Sequence, residues 1–220
     1  VVGVDLGQQY DYTAISVIQT REKWTTGENV PVSWKTGGED KMVTYHYYLR
    51  YLERFRAKYP DTVQRVVKIT RKLEDDGGTA LLVDATGVGL PVVEMMREER
   101  LDPIPIIITG GNAITESDGG YHLPKRQMIS TLQGLFESGR LKISKGINHL
   151  EELLEEISNF RVKITKAGND TYEAWRETDH DDMVISIAMA AWYARREAPQ
   201  NVLVGKTVEL DEWDPLNSWR

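Results

Sequence analysis

The period of the apolar positions changes several times along the chain, and each change marks an element. Val1-Val2-Gly3-Val4-Asp5-Leu6-Gly7 is a short apolar run closing in a turn, the pattern of a buried strand. Thr13 to Thr20 alternates apolar and polar side chains, is rich in β-branched residues and follows a short polar link. It is expected to pair with the first strand as a hairpin. Trp24 to Asp40 is a polar, Gly-containing excursion with room for an edge strand at Val32 to Trp34. Met42 to Phe55 puts Val43, Tyr45, Tyr47, Leu49 and Tyr51 at a period of two. A long third strand is predicted there, with a helix as the rival.

Beyond this point the period lengthens. Asp61 is the expected N-cap of a helix carrying Val63, Val66, Val67, Ile69 and Leu73, stopped by Asp76-Gly77-Gly78. Leu81 to Asp84 is a fully apolar strand, and Thr86-Gly87-Val88-Gly89 turns into a helix from Leu90 to Glu99. Ile104 to Thr109 is another buried strand, and Gly110 to His122 a polar loop or hairpin. Pro124 opens a helix to Ser138 that Gly139 ends, and Leu141 to Ile143 is a short strand. Asn148 to Phe160 lines Leu150, Leu153, Leu154 and Ile157 along a helix. Phe160 to Trp175 reads as a β-hairpin with Gly168-Asn169-Asp170 at its tip, and His180 to Arg196 as an apolar helix. Three strands followed by alternating helices and strands predict an α/β fold. Its central mixed sheet is antiparallel over the first three strands and parallel after them, with helices on both faces. Residues 1–197 form the expected domain, and the Pro-, Asn-, Asp- and Trp-bearing residues 198–220 a tail.

Composition adds exclusions. At 220 residues, 40% hydrophobic and 28% charged, the chain can build one sizeable core. No apolar run nears the ~20 residues of a membrane span, and no signal peptide opens the chain. The absence of cysteine excludes disulfide scaffolds, thiolate nucleophiles and thiolate metal sites, and fits a reducing cytoplasm. A net charge of −7 argues on its face against nucleic acid, whose binding domains are usually basic. Part of that charge, however, sits in Glu151, Glu152, Glu155 and Glu156 and in tail residues Glu209, Asp211, Glu212 and Asp214. A start at Val1 inside a strand pattern is the mark expected of a piece of a longer chain.

The candidate chemistry is acidic. Asp5 ends the first buried strand, Asp84 ends the fourth, and Asp181 and Asp182 open an apolar helix. Parallel strands expose their C-terminal ends on one edge, where open α/β sheets place sites. A lone aspartate at a strand end is usually a turn former, and Asp181 or Asp182 would serve equally as an N-cap. The combination asks for more. Two like charges ~4 Å apart cost roughly 1 kcal/mol in water and about 4 kcal/mol at an effective dielectric of 20. A cation would relieve them, and all-oxygen ligation favours Mg²⁺, Mn²⁺ or Ca²⁺. Two such ions clamp the attacking and leaving oxygens of a phosphoryl displacement. His180 beside the pair is either a local hydrogen-bonding residue or a group that holds a phosphate or bound water. Asp84 to Gly89 is a tight strand-to-helix turn rather than a phosphate loop. No Gly-x-x-x-x-Gly-Lys-[Ser/Thr] exists, since Gly205-Lys206-Thr207 is preceded by Gln200 at the first glycine position. Basic groups at Lys68, Arg71 and Lys72, at Lys125 and Arg126, at Arg140, Lys142 and Lys145, and at Arg161, Lys163 and Lys166 are each solvated faces alone; together they can track a phosphate backbone.

As an ordered series, Val4-Asp5-Leu6-Gly7 with Asp11 and Ala14, Leu82 to Gly89, Thr109-Gly110-Gly111, Leu123-Pro124-Lys125-Arg126, Trp175-Arg176 and His180-Asp181-Asp182 resemble the nuclease domain of tailed-bacteriophage large terminase subunits. The resemblance runs from Val1 to about Ala194. It implies an RNase H-like fold and a metal-dependent endonuclease that cuts concatemeric viral DNA during genome packaging. It implies Asp5, Asp84 and Asp182 as catalytic metal ligands for Mg²⁺ or Mn²⁺, two ions in all, with Asp181 an adjacent ligand or orienter. Lys125 matches the family's basic residue near the cleft and is the implied phosphate contact. Arg126, Arg161 and Lys163 of the basic groups, and His180 beside the aspartates, are further candidate DNA contacts. The implied partners are double-stranded DNA, an ATPase motor domain of the same full-length chain, the small terminase subunit and the portal protein. The implied location is the host cytoplasm, outside the mature virion. Rival readings are another RNase H-like nuclease of resolvase or transposase type, a sugar-kinase or actin-type ATPase lobe, and a DNA-docking module with a vestigial site.

Overall fold

The computed structural model describes residues 1–7, 11–26, 41–74, 78–87, 89–166 and 181–198; for 41 and 159–166 the description is of the backbone alone. In chain order the elements are β1 (Val2–Asp5), β2 (Thr13–Thr26), β3 (Lys41–Phe55), α1 (Tyr59–Glu74), β4 (Leu81–Asp84), α2 (Gly89–Glu98), β5 (Pro103–Thr109), β6 (Thr115–Ser117), β7 (Gly120–Pro124), α3 (Lys125–Glu137), β8 (Leu141–Ile143), α4 (Leu150–Lys166) and α5 (Asp182–Glu197).

The strands form one sheet in the order β6-β7-β5-β4-β1-β2-β3-β8. β1, β2 and β3 are antiparallel neighbours, while β4, β5 and β7 continue parallel on the other side of β1. That is the mixed sheet expected from the apolar patterning. One reversal refines it: β6 turns back antiparallel on β7. β8 joins the far edge parallel to β3. Because side chains alternate across a strand, the sheet carries a core on each face. One contains Ala14, Ile18, Leu49, Leu82, Ile106 and Leu123 with residues of α3, α4 and α5. The other contains Val2, Val4, Ile15, Val17, Leu81 and Val83 with residues of α1 and α2.

Helix α5 is the central support. Every residue from Met183 to Trp192 is buried, so it is apolar all round, as a helix covered on all sides must be. It packs on β1, β2 and β3 and against α3 and α4. Its approach to β1 is limited by backbone: a Cβ on Gly3 would lie 2.2 Å from the carbonyl oxygen of Ser186. Only a residue without a side chain fits there.

Several local expectations are corrected. Helix α1 starts at Tyr59, so Asp61 lies in its first turn rather than capping it; Pro60 at the opening explains the earlier start, since its missing N–H is not needed there. Pro124 ends β7 and takes the cap position of α3 instead of the first turn. Strand β2 runs on to Thr26, absorbing Trp24, because it stays paired with β3 down to Thr26↔Lys41. Residues 160–166 are the end of α4, not the first arm of a hairpin. Phe160, Val162 and Ile164 alternate as a strand would, but no Gly or Pro interrupts the helix before Gly168. The rest of that expected hairpin, the Val32–Trp34 strand, most of the Asp76-Gly77-Gly78 stop, and the tail beyond 198 lie outside the described residues.

Gly3→Ala is expected to destabilise the chain by at least about 1–3 kcal/mol, by prising α5 from β1. Gly134→Ala, inside α3 with nothing within 4 Å of the added methyl, is expected to stabilise by about 0.5–1 kcal/mol. Urea denaturation of the two variants beside the parent chain checks both.

Candidate active site

Register brings the first two carboxylates together. β1 and β4 are parallel neighbours paired Val2↔Leu81, Gly3↔Leu82 and Val4↔Val83. One step further, Asp5 and Asp84 end adjacent strands, whose spacing is about 4.8 Å. The third contribution follows from the Gly3–Ser186 contact. From Ser186 back to Asp182 is four helical residues, about 6 Å; from Gly3 on to Asp5 is two strand residues, about 6.6 Å. The two lengths match, and α5 packs on β1 with Asp181 and Asp182 near enough for their charges to act on Asp5. Lys125, first residue of α3, reaches the same place: its Nζ lies 2.8 Å from Asp181 Oδ2.

Asp84 is a turn former. Its Oδ1 accepts the Thr86 N–H at 2.8 Å, and Thr86 Oγ1 accepts the Ile108 N–H at 2.9 Å. The turn closes so tightly that a Cβ on Gly89 would lie 2.4 Å from the Asp84 carbonyl oxygen. Asp181 occupies the cap position of α5, but its side chain makes no capping hydrogen bond. Its carboxylate is turned to Lys125 instead, so the cap alternative does not describe it.

The charges of the cluster act on one another. The Asp5 carboxyl titrates well above the ordinary carboxylate range. Burial is the main cause, followed by the charges of Asp84, Asp182 and Asp181; Lys125 opposes them. Asp84 is also raised by burial, against the hydrogen bonds from Thr86 and the charge of Lys125. Among the described residues, no three Asp, Glu or His side chains close on a common point as a finished metal cage does. Asp5, Asp84, Asp181 and Asp182 form an open cluster instead, with Lys125 and Arg54 as counter-charges. Its donors are all oxygen, the chemistry that suits Mg²⁺ or Mn²⁺.

Arg54 and Glu156 belong to this site and escape sequence reasoning. Arg54 Nη2 lies 3.2 Å from Asp182 Oδ2, and its Nη1 lies 3.6 Å from Glu156 Oε1. Glu156 Oε2 accepts the Val184 N–H at 3.2 Å. Burial pushes the Glu156 carboxyl up to about 7, against the Val184 hydrogen bond and Arg54. Glu156 sits three residues after Leu153, which is buried, whereas Leu154 is exposed. The helical phase of Leu153 is the signal that would have found it.

Of the expected DNA contacts, Lys125 and Arg126 have described side chains. Arg126 lines a groove of about 410 Å³ with Gly111, Asn112, Pro124, Gln127 and Ser130. Arg161 and Lys163 lie on the last turns of α4, where only the backbone is described, and His180 falls outside the described residues.

An antiparallel three-strand start, parallel strands beyond β1, helices on both faces and carboxylates at the ends of β1, β4 and the head of the last helix define an RNase H-like α/β fold. Within that class a family model described as Terminase RNaseH-like domain matches residues 43–193. The chain belongs to this terminase family, a nuclease class. Asp84, Lys125, Asp181 and Asp182 lie in the matched stretch; Asp5 lies ahead of it and joins through the pairing of β1 with β4. No curated protein matches the chain. Among the described residues no helix is long and apolar enough to cross a membrane.

A carboxyl whose folded pKa is raised keeps its proton where the unfolded chain has lost it. Stability therefore falls as pH rises from the ordinary value of 3.8 for Asp5 toward the folded value. Asp5→Asn removes this loss, so the variant is expected to gain stability over the parent chain as pH rises from 4.5 to 7.5. Urea midpoints at the two pH values, without divalent ions, test it.

Proposed function

We propose that the chain is a metal-dependent endonuclease that cuts concatemeric viral DNA during genome packaging, with little sequence preference. The observation that carries this reading is the gathering of Asp5, Asp84, Asp181 and Asp182 at one end of the sheet in a chain of the terminase RNase H-like family. Asp5, Asp84 and Asp182, with Asp181 beside them, would hold two Mg²⁺ or Mn²⁺ ions; when bound, these supply the charge that activates water and offsets the leaving oxygen.

The chain's own residues supply placement and charge. The Thr86 N–H orients Asp84. Lys125 offers an ammonium at the cluster rim, a compact charge suited to a phosphate oxygen. Burial around Asp5 weakens water's screening, which makes the site selective for an occupant of opposite charge. Lys125 and Arg126 contact the backbone first, and Arg161, Lys163 and His180 extend the track. Phosphate contacts carry no direct sequence information, which accounts for the loose preference. In packaging, the domain works beside an ATPase motor of the same full-length chain, with a small terminase subunit and portal protein as partners, in the host cytoplasm.

Asp5→Asn and Asp84→Asn are each expected to reduce plasmid cleavage in Mg²⁺ or Mn²⁺ to background while the fold persists by circular dichroism. Chelation of divalent ions is expected to stop the parent chain. Undiminished cleavage by either variant overturns the assignment. DNA affinity is expected to fall linearly in a log–log plot against salt, through counterion release; a flat response in fluorescence anisotropy rejects the phosphate track.

A further inference from the structure

Asp5, Ala14 and Arg54 form one rung across β1, β2 and β3, since Asp5 pairs with Ala14 and Ala14 with Arg54. Directly paired residues share a face, so Asp5 and Arg54 project on the same side with the small Ala14 between them. Asp182 lies at that rung, 3.2 Å from Arg54 Nη2. Arg54 is held from two further directions. The Tyr12 ring lies 4.1 Å from its Cζ, and Glu156 Oε1 lies 3.6 Å from Nη1. Glu156 in turn accepts the Val184 N–H, two residues beyond Asp182 in the first turn of α5. Side-chain exposure is 13% for Arg54, 6% for Glu156 and 14% for Asp182.

Burying three ionisable groups is a poor source of stability, because desolvation offsets much of the attraction. What the arrangement provides is geometry: β3, α4 and α5 are tied at one point, and that point is a carboxylate of the acidic cluster. We propose that Arg54, braced by Glu156 and Tyr12, is a positioning residue that fixes the Asp182 carboxylate for the metal. This inference rests on the nuclease reading. Arg54 is too enclosed to act as a free phosphate contact, and a lysine in its place offers one point charge where a fork spans two carboxylates.

The sign of a change in metal affinity separates positioning from mere charge balance. If Arg54 only neutralised Asp182, removing it would strengthen the pull on a divalent cation. If it positions Asp182, removing it weakens binding. The test uses the whole chain with Arg54→Ala, Arg54→Lys and Glu156→Gln. Mn²⁺ binding is followed by electron paramagnetic resonance, single-turnover plasmid cleavage is timed, and DNA affinity is measured by anisotropy. Arg54→Ala is expected to weaken Mn²⁺ binding and slow cleavage by about 10–100-fold, with DNA affinity within about twofold of the parent chain. Arg54→Lys is expected not to restore either. Glu156→Gln keeps an acceptor for Val184 and is expected to weaken Mn²⁺ binding in the same direction by less, which keeps the proposal testable should Arg54→Ala fail to fold. Tighter or unchanged Mn²⁺ binding in Arg54→Ala and Glu156→Gln overturns it. So does a loss confined to DNA affinity, which would make Arg54 a phosphate contact. A parent chain that binds no Mn²⁺ fails the nuclease reading itself.

Discussion

The structure depends on how closely one helix lies on one strand. Helix α5 rests its Ser186 carbonyl against Gly3, at a separation that a single methyl group would prevent. The same contact sets both the core and the site. It lets a helix buried from Met183 to Trp192 settle on β1 and β2, and it brings Asp182 near enough to Asp5 for their charges to interact. Packing and chemistry are therefore one constraint: a change that lifts the helix loosens the interior and separates the carboxylates at once.

The site works against folding in a way its surroundings contain. Asp5, Asp84 and Glu156 all sit where burial disfavours their charged forms. The opposing groups are few and specific: backbone N–H groups of Thr86 and Val184, the Lys125 ammonium and the Arg54 guanidinium. Each meets a different carboxylate or a different oxygen. The negative net charge of the chain, read from composition as an argument against DNA, is thus partly concentrated in one acidic cluster at the sheet edge. Lys125 at its rim shows that basic contacts can coexist with it.

Much of this was legible from sequence. Four-residue apolar runs ending in Asp5 and Asp84 predicted two buried strands with carboxylates at one edge, and their parallel pairing confirmed it. The apolar length after Asp182 predicted a covered helix. What was hidden depends on phase and contact rather than pattern. Arg54 looks like one more polar position in the alternation of β3, and its rung with Asp5 exists only once two registers are known. Glu156 is masked by Glu151, Glu152 and Glu155, which share its composition but not its burial. The strand-like period of Phe160, Val162 and Ile164 misled because a helix without a stop signal carries on through it.

The carboxylates come from residues 5, 84, 181 and 182, nearly the full span of the described chain. Distant segments are costly to bring together and tend to meet late in folding. Here the last of them is carried by α5, the final described element, which also fills the core face of β1 and β2. A growing chain on the ribosome therefore has no complete acidic cluster until that helix has emerged and docked. Completion of the fold and assembly of the acidic cluster therefore arrive in a single step.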